Sequence, residues 1–157
     1  MSIVLGIAAA CFLAWLVKTY IRGKKRLQAK ARQAMENAFQ VPEGSNHRSV
    51  YVYDGSAFKR KRVGERFRVL VLKGEKTMTS IYTGMTWTGD CCLSYNGERI
   101  GFLGMGISHD FMSRLVDKRG SASIVVHVRG YDASAGFPYV VADLPELDWF
   151  RKVLCRR

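Results

Sequence analysis

The sequence lacks the cysteine pattern of a disulfide or zinc framework. Its four cysteines are Cys11, Cys91, Cys92 and Cys155, and they contain no C-x-x-C pair. Adjacent cysteines on a strand point to opposite faces of the sheet, which separates Cys91 from Cys92. We therefore expect reduced structural thiols, no metal site and no cofactor. A vicinal disulfide switch and a soft-metal site stay open as alternatives, although no histidine lies near these cysteines in sequence.

The motifs of common catalytic sites are also missing. The sequence shows no recognisable Ser/His/Asp or Cys/His arrangement, carboxylate pair, HExxH motif or phosphate-binding glycine loop. The three histidines, His47, His109 and His127, are scattered along the chain. These absences predict a binding module rather than an enzyme.

Acidic residues are missing from the N-terminal part of the chain, where the first is Glu36. The net charge is +12, from 25 Lys and Arg against 13 Asp and Glu. Seven of the 25 basic residues precede Glu36, so 18 remain beside all 13 acidic residues, and that remainder is mildly basic. The excess predicts an anionic partner. The seven basic residues that precede Glu36 are Lys18, Arg22, Lys24, Lys25, Arg26, Lys30 and Arg32.

An apolar run from Ile3 to Ile21 overlaps the start of this basic segment. Nineteen helical residues extend roughly 28 Å, just enough to cross a bilayer, and a basic flank after the run is typical of a stop-transfer signal. A cleaved signal peptide is the main alternative, but it requires basic residues before the apolar run. We therefore expect a single-pass membrane protein, with a transmembrane helix at 1–21, the N-terminus outside and the remainder cytoplasmic.

The pattern of residues 22–47 predicts a basic juxtamembrane helix followed by a linker. Lys, Arg, Gln and Ala predominate as far as residue 40, and Pro42 and Gly44 end the helix. The basic side chains form either a solvated stalk or a contact with anionic headgroups, worth about 1 kcal/mol per residue. The lipid bilayer is thus one expected partner.

The pattern of residues 48–145 is typical of a small β-domain with one internal helix. Asn96-Gly97 between two apolar runs predicts a β-hairpin with a type I′ turn. The internal helix should begin with Ser108 as its N-cap and end at Gly120. Further strands are expected at 49–53, 66–72, 77–82, 124–129 and 137–142, with a loop at 130–136.

Residues 146–157 predict a C-terminal amphipathic helix, which either packs on the domain or lies on a membrane surface. The expected fold class is therefore α+β. It combines an N-terminal transmembrane helix with a small, mainly antiparallel β-barrel-like domain that has one internal and one C-terminal helix.

Two segments of the chain together carry a resemblance to a known protein family. The first contains Tyr51, Tyr53 and Gly55 on an early strand, followed by V-G-E-R-F-R-V-L-V at 63–71. The second contains N-G-E-R-I-G-F-L at 96–103, an amphipathic helix and a strand pair that ends near Leu144. Together they resemble the HIRAN domain, a family of small β-barrels, over about residues 49–144. The resemblance implies a barrel that binds single-stranded DNA ends in a groove of aromatic and polar residues.

The expected function is a membrane-anchored binding module for single-stranded DNA or DNA ends. Aromatic side chains would stack on bases and basic ones would contact phosphates. The candidate residues are Tyr51, Tyr53, Lys59, Arg60, Lys61, Arg62, Arg66, Arg68 and Arg99. The alternative is an adaptor at the cytoplasmic membrane face that binds a protein or anionic lipids and no nucleic acid. The two hypotheses differ in whether Tyr51 and Tyr53 lie exposed beside arginines or buried in the barrel.

Overall fold

The computed structural model describes residues 2–52, 55–58, 61–74, 77–79, 84, 86–133 and 137–155, with side chains described from Cys11 onward in the N-terminal helix. The helices and strands are α1 (Ser2–Asn37), β1 (Phe39–Gln40), β2 (Asn46–Val52), a 3₁₀ helix (Gly55–Phe58), β3 (Arg66–Lys73), β4 (Thr77–Thr79), β5 (Thr86–Thr88), β6 (Cys91–Tyr95), β7 (Glu98–Leu103), α2 (Ile107–Arg119), β8 (Ser121–Tyr131), β9 (Pro138–Leu144) and α3 (Leu147–Cys155). The predicted α+β class is confirmed.

Six antiparallel strands close into a barrel. Their order is β8, β3, β6, β7, β2 and β9, and the circle is completed because β9 pairs again with β8. The two-residue β1 adds to β8 as a parallel edge, while β4 and β5 form a separate ribbon. Alternate residues of each strand fill the interior, and the barrel core includes Val50, Val52, Val69, Val71, Leu93, Ile124, Val126, Val128, Val140 and Ala142.

The hairpin prediction is confirmed by the backbone of its turn. Asn96 has φ 53° and Gly97 has φ 87°, and a type I′ turn requires positive φ at both central residues. The turn joins β6 to β7, as the sequence predicts. The strand expected at 77–82 is observed at 77–79, and residues 80–82 lie outside the described residues.

The internal helix ends at Gly120 as predicted, but Ser108 is not its N-cap. Helix α2 begins at Ile107, with Gly106 in the capping position, so Ser108 lies inside the first turn. Its buried hydroxyl accepts hydrogen bonds from Asn46 Nδ2 at 2.9 Å and Arg48 Nε at 3.2 Å. The hydroxyl therefore joins the helix to β2 and does not cap the helix.

Helices α2 and α3 pack against each other and against the barrel core. Phe150 of α3 is fully buried, and its ring stacks on Phe111 of α2 with centroids 5.9 Å apart. Leu115 and Val116 continue the contact of α2 with the core. The packed alternative for the C-terminal segment thus describes α3 in this structure.

Helix α1 is continuous over 36 residues and extends about 54 Å. Toward its end, Leu27 and Ala31 lie beside Gly97 in the hairpin turn, and Ala38 and Val41 after the helix are buried. The seven basic residues from Lys18 to Arg32 are all exposed on α1. The N-terminal helix therefore contacts the barrel with its last turns and presents its positive charge to solvent.

The predicted membrane topology is wrong, because no helix among the described residues is long and apolar enough to span a bilayer. The sequence prediction counted Ile3 to Ile21 as one apolar span and allowed for Lys18 within it. In helix α1 the exposed Lys18 interrupts that span, and the exposed Arg22 follows one turn later. The transmembrane helix at 1–21 is therefore withdrawn, together with the outside N-terminus and the cytoplasmic placement.

Candidate functional site

The outward side chains of β2, β9, β8 and β3 form one continuous surface, which we call the outer face. The strand register aligns Ser49 with Val141, Val141 with His127, and His127 with Arg66, so four neighbouring strands contribute to one row. The intervening residues of these strands point into the core. The outer face consists of His47, Ser49, Tyr51, Arg66, Arg68, His127, Arg129, Tyr139, Val141 and Asp143.

A groove of about 580 Å³ lies on this face where β2, β8 and the start of β9 meet. Tyr51, Phe137 and Tyr139 contribute aromatic rings to it, and Arg129 contributes a guanidinium. Tyr139 is 58% exposed, whereas Tyr51 is half-buried because its ring packs on Phe102 at a centroid distance of 5.6 Å. The groove therefore combines accessible aromatic surface with positive charge.

A histidine pair bridged by one carboxylate lies at the other end of the outer face. The Asp143 side chain is only 1% exposed, and its two oxygens accept hydrogen bonds from Nδ1 of His47 and Nδ1 of His127, each at 2.8 Å. Arg66 approaches Asp143 Oδ2 with Nε at 3.7 Å and pairs through Nη1 with Glu43 at 2.8 Å. A buried charge requires such partners.

This carboxylate bridge fixes the orientation of two imidazole rings on the surface. A carboxylate only accepts hydrogen bonds, so Nδ1 of each histidine carries the proton and Nε2 of the neutral ring is left as an acceptor. The ring centroids are 6.0 Å apart and nearly perpendicular. His47 is more accessible than His127, with side chains 54% and 18% exposed.

Three of the nine predicted nucleic-acid contacts come together on the outer face. Tyr51 lines the groove, and Arg66 and Arg68 extend the positive surface across β3. Arg68 also directs Nη1 toward the carbonyl oxygens of Val41 and Ser123, at 3.4 and 3.3 Å. The outer face is therefore the part of the barrel where these three predicted residues lie together.

Lys61 has a structural position instead. Its ammonium pairs with Glu65 at 2.6 Å and lies 4.6 Å above the ring of Phe67, in a side chain that is only 18% exposed. Burial alone would lower the pKa of Lys61, but hydrogen bonds to Glu65 and Tyr95 outweigh it and raise the pKa. This lysine therefore holds the loop before β3 against the barrel.

Arg62 and Arg99 do not line the groove. Arg62 is exposed in the same loop, where its backbone N–H donates to Glu65 Oε2 at 3.0 Å. Arg99 is exposed two residues after Gly97, on the part of the barrel that α1 approaches. Tyr53, Lys59 and Arg60 lie outside the described residues.

A second cluster, formed by Asp90, Cys91 and His109, offers three donor atoms of the kinds that bind metal ions. Asp90 Oδ1 lies 3.1 Å from His109 Nε2 and 3.8 Å from Cys91 Sγ, and all three donors lie within 4.8 Å of one another. His109 and Cys91 are buried. Desolvation raises the pKa of the Cys91 thiol far above its ordinary range.

The acidic member of this cluster is held from its other side. Asp90 Oδ2 accepts hydrogen bonds from Lys73 Nζ at 2.9 Å and Ser113 Oγ at 2.7 Å. Burial raises the pKa of Asp90, but these two contacts outweigh that effect and lower it. The carboxylate is therefore oriented with Oδ1 toward Cys91 and His109.

Neither cluster is visible in the sequence, because each depends on strand register or helix packing. His47 and Asp143 are 96 residues apart, and Asp90 and His109 are 19 residues apart. The alternation of His127 and Arg129 on one strand face was the signal that could have placed one histidine outside. Comparison with known proteins adds no assignment: no family model, no curated protein and no solved structure matches this chain.

Proposed function

We propose that this protein is a binding module whose outer face accepts a single strand of DNA. The observation that supports this proposal is the groove in which Tyr51, Phe137 and Tyr139 meet Arg129. Arg66 and Arg68 continue the same surface toward β3. Proteins that bind single strands combine stacking rings for the bases with a positive surface that follows the phosphates.

The size and composition of the groove suit this ligand. A volume of about 580 Å³ lies within the roughly 300–1,000 Å³ typical of ligand sites. Every base has a π-face, so the exposed ring of Tyr139 offers a contact that does not depend on sequence. We therefore expect binding with little base preference and a steep dependence on salt.

The acidic residue of the outer face does not oppose an anionic ligand. Asp143 is buried beneath His47, His127 and Arg66. These three partners contact its carboxylate in the unbound protein, so the carboxylate repels a bound phosphate less strongly. Glu43 forms an ion pair with Nη1 of Arg66, so less of that guanidinium is available to a phosphate. Arg68 and Arg129 are therefore the more important phosphate contacts in this proposal.

The test is a titration of a fluorescently labelled oligothymidine strand with the full chain, followed by anisotropy over a range of salt concentrations. Tyr139→Ala should weaken binding by about 1–3 kcal/mol, the usual loss for one stacking aromatic. Arg129→Ala should reduce the salt slope by about 1. Tyr139 is preferred to Tyr51 because Tyr51 also packs on Phe102 and its removal disturbs the fold.

The controls separate the groove from the basic N-terminal helix. Tyr20→Ala and Arg151→Ala remove an exposed tyrosine and an exposed arginine from helices, and they should leave affinity unchanged. Exchanging Lys24, Lys25 and Arg26 together for Gln measures the non-specific contribution of α1. The proposal would be contradicted if only the triple variant lowered the affinity for the strand, or if no binding occurred near physiological salt.

A further inference from the structure

The distances from Asp90 Oδ1 to the donor atoms of Cys91 and His109 are close to those between neighbouring ligands of a tetrahedral metal site, and all three donors lie within 4.8 Å of one another. Zinc ligand distances of about 2.0–2.3 Å place neighbouring N and O donors about 3.3 Å apart, and S and O donors about 3.6 Å apart. The observed separations are 3.1 Å for His109 Nε2 to Asp90 Oδ1 and 3.8 Å for Cys91 Sγ to Asp90 Oδ1. Each pair needs an adjustment of only about 0.2 Å to reach that geometry.

We propose that these three residues bind a zinc ion through Cys91 Sγ, His109 Nε2 and Asp90 Oδ1. This inference is independent of the proposed DNA-binding groove. A mixed sulfur, nitrogen and oxygen donor set in tetrahedral geometry suits Zn²⁺, whereas Mg²⁺ and Ca²⁺ require more ligands and only oxygen donors.

The residues around the cluster supply the supporting contacts that a metal site needs. Lys73 and Ser113 hold Asp90 Oδ2, so the carboxylate can bind the ion through Oδ1 alone. His109 Nδ1 lies 3.5 Å from Asp110 Oδ1, and this carboxylate accepts a hydrogen bond from Nδ1–H once Nε2 is the ligand. Such carboxylate–histidine contacts fix the tautomer of metal-bound imidazoles.

The charges and protons of the binding step balance. Zn²⁺ replaces the proton of the Cys91 thiol, which leaves to solvent, and the imidazole proton resides on Nδ1 beside Asp110. The thiolate and the Asp90 carboxylate then neutralise the two positive charges of the ion. The buried Cys91 thiolate thereby acquires a positively charged partner.

The fourth coordination position is open to a cavity. A cavity of about 380 Å³ is lined by Asp90 and His109 together with Met105, Ser113 and Arg114. Cys91 is fully buried and approaches the same point from the barrel core. Three protein ligands with one accessible position are typical of zinc sites that hold an exchangeable water molecule or another small ligand.

The test uses the full chain in a background of Cys11→Ser and Cys155→Ser, which removes the two exposed thiols. The protein is treated with a chelator and titrated with Co²⁺, and the cobalt is then displaced by Zn²⁺. We expect one equivalent to bind, with the intense visible bands of tetrahedral cobalt and a thiolate-to-cobalt charge-transfer band. Cys91→Ser should abolish the charge-transfer band, and His109→Gln should weaken binding by at least tenfold.

Two further variants keep the test independent of folding defects. Cys92→Ala alters the adjacent buried cysteine and should retain both stoichiometry and spectrum. Ser113→Ala removes the supporting hydrogen bond to Asp90, together with the one that Ser113 accepts from Lys73, and should weaken binding about 10–100-fold, the usual effect of losing such a supporting contact. Thermal unfolding of each variant in chelator shows whether it is folded. Absence of cobalt binding, a charge-transfer band that survives Cys91→Ser, or full affinity in folded Ser113→Ala would overturn the site.

Discussion

Removing the carboxylate of Asp143 is the most informative perturbation of the outer face. Asp143→Ala deletes the acceptor of two hydrogen bonds, one from His47 and one from His127, each 2.8 Å long. It also removes the partner of Arg66 at 3.7 Å. The substitution therefore tests whether the carboxylate bridge orders this part of the barrel.

The expected cost follows from the exposure of the two histidines. A hydrogen bond to a charged group contributes about 1.5–3 kcal/mol to stability. His127 is mostly buried and loses that contribution almost in full, whereas His47 is half-exposed and regains much of it from water. Together we expect the free energy of unfolding to fall by about 2–4 kcal/mol.

Urea denaturation of the full chain at neutral pH, followed by the fluorescence of its tryptophans, measures this change. The matched control is Asp148→Ala, which removes an exposed aspartate paired with Arg151 at i,i+3 and should cost no more than about 0.5 kcal/mol. A loss below about 1 kcal/mol for Asp143→Ala would refute the argument that the bridge is a strong buried interaction. It would mean that water replaces the carboxylate at both rings.

Two further predictions concern the turn and the loop that flank the barrel. Gly97→Val should lower stability by about 1–2 kcal/mol, because Gly97 has φ 87°, a backbone conformation that a β-branched residue resists. Asn96→Gly should be nearly neutral. Equal stability of the two variants in urea would contradict the turn geometry. The hydrogen bond from Lys61 lowers the pKa of Glu65, so its stabilisation is complete above the unfolded-state pKa near 4.5 and is lost as pH falls through the lower folded-state pKa. Glu65→Gln should therefore reduce the loss of stability between neutral and acidic pH, as measured by urea denaturation at each pH, and an unchanged pH profile would show that the pair is not formed.

Features that depend on local backbone chemistry could be predicted from the sequence. Asn96-Gly97 specifies its turn because few residues tolerate positive φ, and the alternation in 66–72 places Phe67, Val69 and Val71 inward on β3. Features that depend on partners far apart in the sequence could not be predicted in this way. Ser108 follows a helix-start pattern, yet β2 supplies Asn46 and Arg48 as donors for its hydroxyl.

The sequence pattern also could not predict where strands end or where very short strands lie. The predicted loop at 130–136 begins too early, since β8 continues to Tyr131 through an irregularity near Gly130 that restores pairing with β9. Strand β1 has two residues and no alternation to detect, and only its parallel pairing with Ala122 and Ser123 defines it. The candidate metal donors needed the packing of α2 on β6, which brings His109 to Cys91.

Photocrosslinking tests the central claim that the groove binds a single strand. The full chain would be mixed with a strand that carries a photoreactive thymidine analogue, irradiated, digested and mapped by mass spectrometry. The proposal predicts crosslinks at Tyr139 and at Phe137 or Tyr51, and their loss when unlabelled strand competes. Crosslinks confined to the basic segment of α1, or none above background, would contradict it.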